Sequence, residues 1–516
     1  DRLNLTFGLR YDELSTSDAP QEIPKFVEVY GFSNTATLDG IDLLQPRFSA
    51  DLALDDVSSL NFSMGRYMGR NPMVWVSNSY NYGANPLFYE RTDRNCSGLA
   101  VQGSLDPCVA SSFDNFDASD IMGDMDFIAP DLEAPFDDRY SLVYKTLVDM
   151  TPIGLGPNWD FTASYIRINK RKEFVTRKIS GVGAPNGFYP GTPSERYPDG
   201  KVVHQDSGYY GGIYPDNYVF GLYTQGAGSK AENITLELAK YFDNDVDLYF
   251  AYNGNDATEL SPLTSSRAAS NTPNNVWTGN QFNYPVSKRS IYETEHKFVL
   301  SLIINRNHFA NLNTSYGFSF TRKSGNPYSW TFDAGNSEPW DGYRNNSFGL
   351  EYDLNRRNSG LLYIPTENDP NVCYGSCENP DNAFKAQFLD VIAQLGLSDY
   401  AGSVVPAGTH THNWVTTSTF QIRQELPGLY EGHSGELYFT MNNFLNFLND
   451  EWGRVDYGMY NGIRPLVRFT TTDDLSKYIY TGFSSNSFDP DNPDGAWRTS
   501  GYQSVWRARI GFKYRF

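Results

Sequence analysis

The chain has 516 residues, with 36 tyrosines, 34 phenylalanines and a formal net charge of -20. Such an acidic balance argues against nucleic acid as a partner, because phosphate backbones are bound by basic surfaces. Mean hydropathy is -0.50 and no run approaches the roughly 18 apolar residues of a transmembrane helix, so only a closed sheet could carry this chain across a membrane.

The first segment of the chain is predicted to be a β-strand. Its apolar residues occupy alternate positions, which gives a strand one apolar and one polar face: Leu3, Leu5, Phe7, Leu9 and Tyr11. No signal peptide is visible in the given sequence, and we expect the chain to be a fragment of a longer protein, either cleaved or incompletely built. A long polar segment follows, and then two alternating strands around 48–54 and 60–64 are joined by a tight connection.

The same pattern recurs to the end of the chain. Further strands are predicted to begin near Leu142, Phe161, Ile234, Val246, Phe298, Leu312, Trp414, Leu437 and Trp506. The longest loop, 324–410, is expected to contain a helical turn at 383–397. We interpret this pattern as twelve strands, whose connections alternate strictly between short and long.

The last strand has two distinct faces. One face is apolar and carries Trp506, Ile510, Phe512, Tyr514 and Phe516, and the other carries Arg507, Arg509 and Lys513. About 9–11 residues are enough for a tilted strand to cross a bilayer. A soluble sandwich with one buried face could supply the same strand.

The alternation of connections favours the membrane over the sandwich. Transmembrane barrels have short periplasmic turns and long extracellular loops, whereas very long loops are uncommon in compact domains. We therefore predict an all-β fold, a transmembrane antiparallel β-barrel with long extracellular loops, in the outer membrane of a Gram-negative bacterium.

Four cysteines form two local pairs, Cys96 with Cys108 and Cys373 with Cys377, each in a segment rich in small polar residues, Gly and Pro. Four cysteines allow three connectivities, of which local pairing is the most economical. It predicts two disulfides and an oxidising compartment. A zinc site would need a second ligand pair nearby, which the sequence does not offer.

Short motifs along nearly the whole chain resemble those of Oar-like TonB-dependent receptors. They are LRYD near the start, LDGIDLLQPRFS at 38–49, NPMVWVSNSY at 71–80, RKSGNPYSWTF at 322–332, LLYIPTENDPNV at 361–372 and NNFLNFLNDEWG at 442–453. The resemblance implies a plug domain, a small carboxypeptidase-regulatory-like domain and a 22-stranded barrel. Residues 1–516 would be its C-terminal portion, about 12 strands, with the plug and N-terminal domains absent.

The resemblance also implies a function. Extracellular loops would capture a substrate, and the TonB complex would pull on the plug domain of the same protein to admit it. The expected partners are outer-membrane lipid, this complex, an unknown extracellular substrate, a surface lipoprotein or partner protein, and the barrel-assembly machinery, which would recognise the apolar face of the last strand. A structural or adhesive surface protein and a passive porin are the alternatives.

No catalytic constellation is visible, so no enzyme activity and no cofactor are expected. His410 and His412 would share a face of an extended segment, but no further metal ligand accompanies them. Asp489, Asp491 and Asp494 in FDPDNPDG are candidates for a structural calcium site, because calcium prefers clustered oxygen ligands. A solvated acidic turn is the simpler explanation.

Aromatic residues in the long loops are candidate ligand contacts. Trp75, Tyr80 and Tyr82 lie in one segment, and Trp452 and Tyr457 lie in another. Stacking faces among Asn and Asp residues would suit a glycan, a peptide or a chelate at the mouth of a barrel. The alternative is that these rings pack the loops against one another.

Overall fold

The computed structural model describes residues 2–69, 73–80, 125–179, 197–201, 219–226, 228–266, 271, 275–276, 278–279, 283–333, 360–458, 462–472, 474–484, 488–493, 495 and 498–516. Its main sheet is antiparallel, and its strands follow one another in chain order. They are β1 (Leu3–Glu13), β2 (Asp42–Ala53), β3 (Ser59–Met68), β4 (Phe136–Met150), β5 (Gly156–Lys178), β6 (Lys230–Phe242), β7 (Val246–Glu259), β8 (His296–Phe309), β9 (Leu312–Lys323), β10 (Val415–Pro427), β11 (Ser434–Asn442) and β12 (Arg507–Arg515).

Helices and short strands occupy the long connections. The helices are α1 (Pro24–Tyr30), α2 (Met73–Tyr80), α3 (Asn382–Gln394) and α4 (Phe444–Leu448), with 3-10 turns at Thr151–Ile153 and Ser398–Tyr400. The short strands are Met125–Ile128, Val219–Gly226, Lys288–Arg289, Pro327–Asp333, Tyr363–Ile364, Val372–Tyr374, Ser403–Val404, His410–Thr411, Asp456–Tyr457, Ile463–Thr471, Tyr478–Phe483 and Arg498–Thr499. Among the described residues, no helix is both long and apolar enough to cross a membrane.

The predicted alternation of connections is confirmed. Short links at 54–58, 151–155, 243–245, 310–311 and 428–433 share one end of the sheet, and the long connections share the other. The tightest hairpin turns at Ala310 and Asn311, whose φ angles of 52° and 57° are those of a type I′ turn, which matches the strand twist.

Strand register aligns the apolar residues into one continuous face. Leu302 of β8 lies opposite Leu248 and Phe318, and Phe318 lies opposite Phe420, which faces Met441. The apolar face is solvent-exposed on many strands, for example at Leu3, Leu5, Phe7, Leu9, Leu142, Ile234, Phe250, Leu437, Ile510 and Phe512. A large exposed apolar face on a sheet with tight turns at one end is the outer surface of a transmembrane barrel wall.

The opposite face is polar. In the row next to Leu302, Ser301 lies opposite Tyr249 and Ser319, and Thr419 lies opposite Ser319 and Asn442. We call this the lumen face, because barrel interiors are polar. The predicted all-β barrel class is confirmed. Within the described residues, β1 pairs only with β2 and β12 only with β11, and the count of 22 strands stays a prediction.

A loop domain stands on the long-connection end of the sheet. It is built from the described parts of connections 324–414 and 443–506, which share a five-stranded mixed sheet in the order Val372–Tyr374, Tyr478–Phe483, Ile463–Thr471, Pro327–Asp333 and His410–Thr411. Helix α3 packs on this sheet, as the predicted helical turn at 383–397 anticipates. The core is aromatic-rich and includes Trp330, Phe332, Phe388, Leu466, Tyr478 and Tyr480.

A second core joins the connections nearer the start of the chain. Strand β5 continues past its neighbours, so that its end pairs with Val219–Gly226, which pairs in parallel with Met125–Ile128. Phe26 of α1 packs against Phe127, with 5.3 Å between ring centroids. Aromatic burial thus packs the described parts of these long connections against one another.

Candidate ligand-binding loops and lumen

A buried arginine organises the centre of the loop domain. Arg464, on Ile463–Thr471, donates through Nη1 to the Tyr328 hydroxyl (3.3 Å) and through Nη2 to the carbonyl oxygens of Pro493 (3.3 Å) and Gly495 (2.6 Å). Its guanidinium lies 4.9 Å from the ring centroid of Trp330. Its buried Nε has no hydrogen-bond partner among the described residues. Sequence reasoning missed this site, since nothing local distinguishes Arg464 from a solvated cation.

The two histidines of the predicted pair have packing roles around this arginine. His410 accepts a hydrogen bond at Nδ1 from Trp330 Nε1–H (3.1 Å), and its Nε2–H donates to the Leu395 carbonyl (3.0 Å). A neutral imidazole protonated at Nε2 satisfies both bonds. The His412 ring lies 4.7 Å from that of Tyr328. Burial and, to a lesser extent, the charge of Arg464 lower the pKa of His412 to about 4.

The candidate calcium segment is folded around Arg464. Asp489 accepts a hydrogen bond from the Asp491 backbone N–H (3.0 Å), and two carbonyl groups of this segment accept from Arg464. Asp494 lies outside the described residues. Within the described part of the chain, no group of three or more His, Cys, Asp and Glu side chains could hold a metal ion. The calcium site stays a prediction.

The predicted Cys373–Cys377 disulfide is present. It closes the turn between the edge strand Val372–Tyr374 and α3, whose N-cap Asp381 accepts a hydrogen bond from the Phe384 backbone N–H (2.9 Å). The disulfide therefore fixes the point where α3 leaves the sheet. Cys96 and Cys108 lie outside the described residues, so their pairing stays a prediction.

The first group of candidate ligand-contacting aromatics joins loops together. Trp75 on α2 donates from Nε1 to the Ser265 carbonyl (3.0 Å), and the Tyr80 hydroxyl donates to the Asp18 carbonyl (2.6 Å). These bonds connect α2 to two other long connections. Tyr82 lies outside the described residues. A ligand-contacting role for these aromatic residues stays a prediction, and the packing alternative accounts for the bonds that Trp75 and Tyr80 make.

The second group of candidates lies on the last long connection. Trp452 follows α4, and Tyr457 belongs to the short strand Asp456–Tyr457, which pairs with Arg498–Thr499. Both rings are exposed. The two groups of candidates belong to connections far apart in the strand order, and a ligand-contacting role for Trp452 and Tyr457 stays a prediction.

The lumen face carries a cationic cluster near the long-connection end. Arg47 and Arg139 lie opposite Gly65 on its two sides, and their guanidinium carbons lie 4.6 Å and 4.9 Å from the ring centroid of Tyr67. A Cβ at Gly65 would come within 3.2 Å of that ring, so the glycine leaves room for the stack. Asp137 pairs with Arg139 at 2.6 Å. Sequence analysis did not identify this cluster. Arg47, Gly65 and Arg139 each occupy a lumen position of their own strand, but only the strand register places the two arginines on either side of the glycine.

The predicted assembly signal lies on β12 and just beyond its two ends. Ile510 and Phe512 are exposed on the apolar face, opposite Phe439 and Leu437, and Trp506 and Phe516 are also exposed. The Tyr514 hydroxyl accepts from the Leu429 backbone N–H (2.9 Å), which anchors the end of the strand to a short connection. Recognition by the assembly machinery stays a prediction.

Solved structures that resemble this chain include two outer-membrane proteins. No protein-family model matches the chain, and no curated protein sequence matches it. The crystal structure of the outer membrane transporter YddB from Escherichia coli is 9% identical, with a TM-score of 0.40, over 79% of this chain and 37% of that one. The ferric enterobactin receptor PfeA, solved in complex with BCV-L6, is 11% identical, with a TM-score of 0.31, over 93% of this chain and 53% of that one. The chain thus spans about a third to a half of their lengths.

Proposed function

We propose that the chain is part of the wall of an outer-membrane TonB-dependent receptor of the Oar-like type. Its extracellular loops capture a substrate, and the energised inner-membrane complex pulls on a plug domain to admit it. The protein does no covalent chemistry. The long-connection end, with its loop domain, faces the cell exterior, and the short links face the periplasm.

The polar lumen face is the observation that carries this proposal. A membrane anchor needs only an apolar outer surface, whereas this sheet has Arg47 and Arg139 stacked on Tyr67 on its inner side. Arg507 and Arg509 also occupy lumen positions on β12, opposite Asn442 and Thr440. Such a face suits a solvated or plug-filled interior, and its cations suit anionic groups on a plug or a passing substrate.

Uptake by cells that express the complete protein tests the proposal. The probes are a fluorescent oligosaccharide, a fluorescent peptide and a ferric chelate, each measured with and without a functional TonB complex. We expect uptake of one probe class to require both the protein and TonB. Uptake that persists without TonB, together with swelling of proteoliposomes in sucrose, would instead identify a passive porin.

Adhesion is the second candidate function, and the loop domain is the observation that favours it. Its core of fully buried aromatics, including Trp330, Phe332 and Tyr480, makes a compact body on the outer end of the sheet. A folded body of this kind could present a surface to another cell or to matrix. Loss of cell attachment on deletion of the protein, with TonB-dependent uptake absent for all probes, would replace the transport proposal with this one.

A further inference from the structure

Helix α4 lies on the apolar face of the main sheet. The Phe444 ring is 6.4 Å from Phe318 and 5.5 Å from Phe420, and both partners point out of the barrel wall. The Leu445 backbone N–H donates to Ser418 Oγ (2.9 Å), and Ser418 also belongs to the apolar face because it lies opposite Phe320. The chain leaving β11 therefore turns outward, over the surface that faces the membrane.

Two asparagines hold this segment in place. Asn443, with a left-handed φ of 54°, donates from Nδ2 to the Gly453 carbonyl (2.9 Å). Asn446 donates to the carbonyl groups of Asp450 (2.9 Å) and Trp452 (2.8 Å) and accepts from the Trp506 backbone N–H (3.2 Å). The Asn446 amide thus makes three hydrogen bonds, and the Asn443 Nδ2 group makes two, the second to the Gln503 carbonyl (3.3 Å). Such connected polar groups favour a single conformation. The segment is therefore a built element.

The outward side of this element is apolar. Phe447, Leu448 and Trp452 are 52%, 57% and 50% exposed, and the adjoining Trp506 is 45% exposed. Phe447 and Trp506 are in contact, with 5.4 Å between ring centroids. These side chains and the apolar face of β10, β11 and β12 form one continuous apolar surface, with Phe444 between them. The same nonpolar medium therefore covers the element and the face.

The height of the element on the wall fits the membrane interface. Ser418 lies near the long-connection end of β10, which begins at Val415. Tryptophan and other aromatic side chains concentrate where the hydrocarbon meets the headgroups. Asp450 and Glu451 are exposed at the tip of the element, where water or headgroups can solvate their charges.

We propose that residues 443–452 and Trp506 form a lipid-binding element that inserts its rings among the acyl chains of the outer leaflet beside the barrel wall. The bound partner is membrane lipid, and the recognised chemistry is the boundary between hydrocarbon and headgroup. The proposal rests on the apolar face being a membrane surface and is independent of transport. A protein partner docked on the same side chains is the competing outcome.

Tryptophan quenching by brominated lipid tests this proposal. The complete protein is reconstituted in phosphatidylcholine bilayers with bromine on the acyl chains, and Trp452→Phe, Trp506→Phe and the double variant are compared with the parent protein. We expect each single variant to lose part of the bromine-quenchable emission and the double variant to lose the sum of the two parts. Trp330→Phe is the control, because Trp330 is fully buried in the loop domain and its emission should be insensitive to bromine.

The opposite quenching pattern would overturn the proposal. If emission from Trp452 and Trp506 is unaffected by bromine but quenched by aqueous acrylamide, the element faces water and offers a protein-docking surface. Heat-modifiable migration on gels shows that each variant is folded. As a second measurement, Leu448→Asp should reduce bromine quenching of Trp506 by at least half while leaving substrate uptake intact, so failure of this proposal is separable from failure of the transport proposal.

Discussion

The Arg464 guanidinium lies 4.9 Å from the ring centroid of Trp330, and both side chains are buried in the loop domain. A desolvated cation–π contact contributes about 2 kcal/mol. Because the same guanidinium binds two carbonyl groups in 488–495, it connects that segment to the central strand Ile463–Thr471. Arg464 thus joins these two parts of the loop domain through directional hydrogen bonds as well as through its contact with the Trp330 ring.

We expect Arg464→Lys to destabilise the loop domain by about 2–3 kcal/mol, because an ammonium group cannot reproduce the planar fork that reaches Pro493, Gly495 and Tyr328 at once. Limited proteolysis of the detergent-solubilised protein measures the effect as faster cleavage between 462 and 495. Arg468→Lys is the matched control, since Arg468 is exposed on the same strand. Equal cleavage rates for the two variants would refute a structural role for Arg464.

His412 makes the loop domain sensitive to acid. Its pKa is lowered to about 4 in the folded protein, against about 6.5 in an unfolded chain, so folding favours the neutral ring. Above pH 6.5 the His412 ring is neutral in both the folded and the unfolded protein, so it does not lower the stability of the loop domain. As pH falls from about 6.5 to about 4, the unfolded state takes up the proton first, and stability decreases over this window.

His412→Gln should therefore weaken the acid sensitivity in that window. Protease protection of the loop domain is measured between pH 7 and pH 4 for both proteins. We expect the parent to lose protection at a higher pH than the variant, with similar protection at pH 7. Superimposable pH profiles would show that carboxylates, not His412, determine the acid response.

The main sheet could be predicted from the sequence because its two faces meet different media. Lipid on one side and water on the other impose a period of two on every strand, and this period is visible in Leu3 to Tyr11 as clearly as in Trp506 to Phe516. Turn-forming residues such as Asp243, Asn244 and Asp245, which lie between two strands, leave a second local signal. Strand order then follows from chain order, since each strand pairs with its predecessor.

The loop domain could not be predicted in the same way. Ser329 pairs with Ile463, across more than a hundred residues, and no local periodicity records such a pairing. The packing roles of Arg464 and His412 depend on the tertiary fold, which places both side chains against Tyr328. The helix at 383–397 and the cysteine pair Cys373–Cys377 were exceptions, because a helix and a short cysteine spacing are both local signals.

The Cys373–Cys377 disulfide should stabilise the loop domain modestly. Its sequence separation is only 4, and the chain-entropy model gives about 2 kcal/mol for so short a loop. We expect the Cys373→Ser/Cys377→Ser variant to unfold in the loop domain at lower denaturant concentration while the barrel keeps its heat-modifiable migration. In a variant that lacks Cys96 and Cys108, dithiothreitol should lower the denaturant midpoint of the loop domain by a similar amount. An unshifted midpoint would show that the Cys373–Cys377 bond does not contribute to stability.

The two faces of β8 allow a direct test of the membrane assignment. Leu302 lies in the middle of the apolar face and Ser301 is its neighbour on the lumen face. Arginine at the bilayer midplane of an outer-membrane barrel costs about 2–4 kcal/mol, so Leu302→Arg should lower the free energy of unfolding in lipid by that amount. Ser301→Arg adds the same side chain one residue away, where the lumen solvates it, and should change stability by less than about 1 kcal/mol. Urea unfolding of both variants in phosphatidylcholine bilayers gives the difference. Equal losses would mean that both faces meet the same medium, and a larger loss for Ser301→Arg would mean that the polar face is the packed one.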